Sequence, residues 1–82
     1  AIQKIQDDYP LFEELRVLRK QIAEQENVPP FVVFSDKTLK EMCEVLPTTE
    51  QAFLSVSGVG QMKLEKYGSE FIQFFKKHAN IQ

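Results

Sequence analysis

The 82-residue sequence predicts an all-α fold, a compact bundle of about five short helices with a helix-hairpin-helix-like Gly-Val-Gly turn. Three observations carry that prediction. Apolar residues recur at intervals of three and four along most of the chain, the spacing that gathers them on one face of a helix. Pro and Gly are few and fall at places that divide the chain into segments of helical length. Alternation of apolar and polar residues, which a half-buried strand requires, never persists beyond a few positions, and no internal repeat or low-complexity tract is present. With 43% apolar and 27% charged residues the chain is too hydrophobic to stay disordered and too short for two cores. The expected layout is a flexible lead-in over residues 1–8, one helical domain over 9–79 and a short tail over 80–82.

The first helix opens at Tyr9-Pro10, because proline suits a first turn where its missing N–H is not needed, with Asp8 just before it as an acidic cap. Leu11, Leu15, Leu18 and Ile22 form its buried stripe, supplemented by Phe12. The helix ends near Asn27, since Pro29-Pro30 cannot continue it. Phe31-Val32-Val33-Phe34 is too short for an unpaired strand and reads as an irregular apolar connector. Ser35 or Asp36 caps a second helix to Leu46, with Leu39, Met42, Cys43 and Leu46 inward, and Pro47 stops it. Thr48 with Gln51 offers a capping box for a third helix through Phe53. Residues 57–60 break the chain. A fourth segment runs from Gln61 to Tyr67, Gly68 marks a kink, and Ser69 caps a last helix to His78.

Composition narrows the function. A domain of this size buries only roughly 60% of its unfolded surface, leaving little room for a deep active-site cavity, so neither catalysis nor a cofactor is expected. Asp7-Asp8 and Glu13-Glu14 are consecutive pairs, which point apart on a helix and make poor acid and base partners. One cysteine, Cys43, and one histidine, His78, supply neither an internal disulfide nor a zinc ligand set. Cys43 lies at helical spacing among apolar residues and reads as a buried, inert thiol in a reducing compartment. No apolar run approaches the ~20 residues of a membrane span, and no signal peptide is visible, so the expectation is a soluble, cytoplasmic protein. The chain starts Ala1-Ile2-Gln3 rather than with methionine and reads as a segment of a longer polypeptide.

The net charge of −2 is unevenly spread. Residues 1–60 hold six Lys or Arg against ten acids, net −4, whereas residues 61–82 hold four Lys against two Glu, net +2. Any polyanion contact must therefore rest on a local patch. The best candidate is Gly58-Val59-Gly60 followed by Gln61, Lys63 and Lys66. Two glycines permit positive φ and close approach, Val59 can anchor the turn, and the next helix presents unpaired N–H groups beside Lys63. Such an arrangement suits a nucleic-acid phosphate, although Gly-x-Gly also serves simple helix reversals. Arg16, Arg19 and Lys20 share a flank of the first helix and are candidates to track a backbone, with a solvated face paired to Glu13 and Glu24 as the plainer reading. Phe31, stiffened by Pro29-Pro30, is placed to stack on an unpaired base if it points outward.

These residues also carry a family resemblance. The run from Leu11 through Ala23, Val28-Pro29-Pro30-Phe31-Val32-Val33-Phe34-Ser35-Asp36, Leu46-Pro47-Thr48-Thr49, Gly58-Val59-Gly60 and Lys63-Leu64-Glu65-Lys66-Tyr67-Gly68 closely resembles the HRDC domain, over residues 9 to 79. That domain is named for RecQ-type helicases and RNase D, and the details here look most like bacterial RecQ. The resemblance implies a five-helix auxiliary domain without catalysis of its own. It would help a DNA helicase reach single-stranded or junction DNA, and so be nucleoid-associated through its parent. It maps the nucleic-acid face onto Gly58, Gly60, Lys63, Lys66 and Phe31, and implies a monomer that binds DNA weakly or docks on its own helicase core. An RNA-binding role in an RNase D-like exonuclease is the second choice. With Gln61-Met62 before Lys63 and a pI near 5.3, this chain carries fewer positive charges around the turn than a strongly basic version of the domain would.

Overall fold

The computed structural model describes residues 2–79, and every regular element among them is helical. Helix α1 spans Ile2–Glu26, α2 Pro30–Val33, α3 Asp36–Val45 and α4 Glu50–Leu54. Helix α5, Gln61–Lys63, passes through a π turn, Leu64–Gly68, into α6, Ser69–Ala79. Counting the run 61–79 once gives five helical rods. The tail expected over 80–82 lies outside the described residues.

Most element ends follow from local chemistry. At the end of α1, Asn27 takes a left-handed conformation with φ 60°. Its N–H donates to the Glu24 carbonyl at 3.3 Å and that of Val28 to the Ala23 carbonyl at 3.0 Å, a Schellman closure. Ser35 caps α3 by accepting from the Thr38 N–H at 3.2 Å. Leu46, also left-handed at φ 53°, ends α3 by donating its N–H to the Met42 carbonyl at 2.7 Å. That conformation turns the Leu46 side chain half out to solvent, not inward as its spacing suggests, while Pro47 behind it is fully buried. Cys43 is half-buried against the core rather than sealed within it.

Four element boundaries depart from the sequence reading. Helix α1 begins at Ile2, so Pro10 stands inside a helix; its fixed φ is itself helical, and its missing N–H costs one hydrogen bond. The connector after Pro29 is one ordered helical turn, with Pro30 at its first position, Val33 and Phe34 buried, and Phe31 and Val32 outside. Helix α4 is capped by Thr49, whose hydroxyl accepts from the Ala52 N–H at 3.1 Å, and not by Thr48. Gly68 does not break the chain, and Ser69 continues the helix instead of capping one. A Cβ on Gly68 would lie 2.6 Å from Leu64 Cδ1 and 3.8 Å from Phe53 Cδ2. The glycine makes room for the Leu64 side chain of the same π turn, while Phe53 of α4 stands at ordinary contact distance.

The core is one cluster centred on Phe34. Its ring meets Phe53 of α4, Tyr67 of the π turn and Phe71 of α6 edge-on, with centroids 5.9, 5.9 and 5.1 Å away. Leu15 and Ile22 of α1 and Leu39 and Met42 of α3 close around it, and Leu11, Phe12 and Leu18 pack at the margin. The connector is thus an internal hub, which fixes where its outward residues and the hairpin stand relative to each other.

Candidate nucleic-acid interface

The hairpin between α4 and α5 is built from both sides of Ser57. The Ser57 N–H donates to Glu41 Oε2 at 3.1 Å, and the Ser57 carbonyl accepts from Thr38 Oγ1 at 3.1 Å. Because the one Thr38 hydroxyl proton is used on that carbonyl, the 3.1 Å contact between Ser35 and Thr38 hydroxyls must have Ser35 as donor. Ser35 therefore caps α3 with its lone pairs and supports Thr38 with its proton. A chain of hydroxyls links the start of α3 to the hairpin, and Thr38 is buried within it.

Gly58 follows at φ +88°, and a Cβ there would overlap Thr38 Oγ1, so conformation and close approach both demand glycine. Val59 is buried and pins the turn, its N–H bonded to the Val56 carbonyl at 3.1 Å. Gly60 differs from the expectation for it. It has φ −109° and ψ 178°, extended backbone open to any residue, and a Cβ there would meet nothing within 4 Å. It is the N-cap of α5 and offers no side-chain cap, and the first helical bond is the Leu64 N–H to the Gly60 carbonyl at 2.9 Å. The amides of Gln61, Met62 and Lys63 precede the regular bonding pattern.

The lysines after the turn are held by neighbouring elements. Lys63 Nζ lies 5.3 Å from the centroid of the Phe34 ring, so the ammonium rests against the connector. Lys66 sits 3.9 Å from Glu26 at the end of α1 and over the Tyr67 ring, with its side chain still half exposed. Phe31, three residues before Phe34, is 69% exposed. The structure therefore brings the outward ring of α2 and the cations of α5 and the π turn around one hub. Gln61 is turned along its own helix, Nε2 donating to Glu65 at 3.2 Å.

The flank of α1 does not join them as a cationic track. Arg19 is only 7% exposed; Nη1 donates to the Phe34 carbonyl at 2.9 Å and pairs with Asp36 at 2.8 Å. It ties α1 to the start of α3 and is not available to phosphate, which corrects its place among the candidates. Arg16 is paired with Glu13 at 3.3 Å and lies, like Lys40 of α3, near the Phe12 ring. Lys20 is exposed. Three residues escaped sequence reasoning: Met62, 72% exposed at the front of α5, and Thr38 and Glu41, whose hold on the hairpin spans 19 and 16 residues. Contacts at that separation leave no trace in local spacing.

Comparison with known proteins accords with this geometry. The sequence model of the HRDC domain matches residues 9–74. The chain belongs to the HRDC domain family. It is 47% identical over 74 residues to the ATP-dependent DNA helicase RecQ of Haemophilus influenzae, covering 90% of this chain and 12% of that protein. RecQ of Bacillus subtilis is 48% identical over 77 residues, 94% of this chain and 13% of the helicase. The ATP-dependent DNA helicase UvrD2 of Mycobacterium bovis is 41% identical over 69 residues, 84% and 10%. The present chain thus spans about an eighth of the length of its RecQ relatives. Among solved structures, the third HRDC domain of Deinococcus radiodurans RecQ superimposes with a TM-score of 0.82 at 28% identity, covering 88% of this chain and 95% of that one. Among the described residues of this HRDC domain, no helix is long and apolar enough to cross a membrane, and no group of three or more His, Cys, Asp or Glu could hold a metal ion.

Proposed function

We propose that this HRDC domain is a non-catalytic, monomeric accessory module of a RecQ-like DNA helicase that binds single-stranded or junction DNA weakly through backbone phosphates. In this reading the domain helps direct the helicase to its substrate and acts in the cytoplasm, at the nucleoid. The observation that carries the reading is the combination around Phe34: an uncapped helix N-terminus with open space over Gly60, Lys63 against the hub ring, and the exposed Phe31 one turn away. Amides and ammonium groups suit phosphate, and an outward aromatic ring suits an unpaired base. Few free cations and an overall acidic chain are consistent with weak binding.

A chemical-shift titration with a short single strand tests it. The largest amide shifts are expected within residues 58–66 and at Phe31, and with about 3 phosphates neutralised the log-log salt slope is near −2. Lys63→Ala should reduce that slope by up to about one unit. Largest shifts within residues 36–46 would refute the placement. The second reading, docking on the helicase core or a partner protein, draws on the exposed Val45, Leu46 and Leu54 at the ends of α3 and α4. It predicts no DNA-induced shift even at low salt.

A further inference from the structure

Glu41 holds the Ser57 N–H with a full negative charge immediately before the turn proposed to meet phosphate, an arrangement that a neutral acceptor would satisfy equally well. Ser57 and Gly58 are consecutive, their Cα atoms about 3.8 Å apart. Four residues of chain, at most ~14 Å, lead from Ser57 to the first of the α5 amides, a span comparable to the Debye length of ~10 Å at 0.1 M salt, so a phosphate bound there is only partly screened from the carboxylate. Its partner in the clamp, Thr38, is uncharged and fixes the Ser57 carbonyl from the same face of α3. We propose that Glu41 is a positioning residue that shapes the hairpin through Ser57 and, through its charge, sets the domain's affinity for the nucleic-acid backbone below what the hairpin geometry allows. The inference rests on the nucleic-acid reading above and names a determinant of affinity within it.

The substitution that separates geometry from charge is Glu41→Gln, whose side-chain oxygen still accepts from the Ser57 N–H. Binding of a short fluorescent single strand is measured at low and moderate salt for wild type, Glu41→Gln, Glu41→Ala and the control Glu44→Gln, an exposed acid further along α3. Hydrogen exchange at Ser57 is followed in parallel. Glu41→Gln is expected to bind about two- to five-fold more tightly at low salt, the gain shrinking as salt rises, with Ser57 exchange unchanged. Glu41→Ala should speed Ser57 exchange and bind less tightly than Glu41→Gln, and Glu44→Gln should change affinity less than either. If wild type binds and Glu41→Gln binds equally or more weakly, or Glu44→Gln matches it, the inference fails while the nucleic-acid reading stands. If wild type does not bind at low salt, that reading fails and the inference falls with it.

Discussion

Gly58 and Gly60, two positions apart, are glycine for different reasons. At Gly58 any side chain meets both a left-handed φ and the Thr38 hydroxyl, so Gly58→Val should cost roughly 1–3 kcal/mol of stability, a large share of the ~5–15 kcal/mol available to a domain. At Gly60 the backbone is extended and the space is empty, so Gly60→Val should leave the melting temperature within a degree or two while covering the α5 amides and weakening DNA binding. Thermal melting of both variants, with strand affinity for the second, checks this; equal destabilisation would show that the turn needs glycine at each position. Arg19 makes the same point from the other side. Arg19→Met keeps the aliphatic stem but strips the buried Phe34 carbonyl of its donor, an expected loss of about 1–3 kcal/mol. The Asp36 pair adds little, since that carboxylate is largely exposed. Strand affinity of the folded variant should be unchanged, and a drop in affinity without a drop in stability would return Arg19 to the binding face.

At the scale of elements, the short helices depend on their first turns because few internal hydrogen bonds hold them. Helix α4 has five residues and one capping hydroxyl, so Thr49→Ala should lower stability by about 1 kcal/mol, or ~4–8 °C in melting temperature for a domain of this size. Thr48→Ala, which touches no cap, should cost less than half of that, and the reverse order in thermal melts would restore the Thr48 capping box. The pattern favours Thr48, which has Gln51 three positions on, yet the hydroxyl that accepts from a helix N–H is that of Thr49. Where a signal is local, the sequence is legible: Pro29-Pro30 ending α1, Ser35 starting α3, and Gly58-Val59-Gly60 marking the hairpin all stand where their chemistry puts them. Where packing overrides propensity, it is not. Pro10 and Gly68 read as a start and a break, yet one lies within α1 and the other continues the helix with the Leu64 side chain packed close against it. Arg19 reads as solvated because its burial depends on a carbonyl 15 residues away. The candidate site was legible in its hairpin, Lys63 and Phe31, and illegible in the α3 side chains that hold it.

For the whole molecule, the connector divides its work between two phenylalanines three residues apart. Phe34 is the point through which every layer communicates: its ring meets α4, the π turn and α6, its carbonyl is held by α1, and Lys63 lies over its face. A single core of this kind should unfold as one cooperative unit. Removing most of the ring in Phe34→Ala should cost ~3–5 kcal/mol, comparable to the entire stability of a small domain, so the variant should be largely unfolded near 37 °C. Phe31 faces away from that hub. Its exposure means that Phe31→Ala forfeits little burial and should melt within a few degrees of wild type. The energetic consequence appears instead on ligand binding: stacking of an unpaired base on an aromatic ring is worth about 1–3 kcal/mol, so the same variant should bind a single strand several-fold more weakly while duplex binding barely changes. Melting temperature and strand affinity measured on one Phe31→Ala preparation check both halves. A large drop in melting temperature would place Phe31 in the fold's support. Unchanged affinity with unchanged stability would leave the phosphate contacts of residues 58–66 to carry the interaction alone.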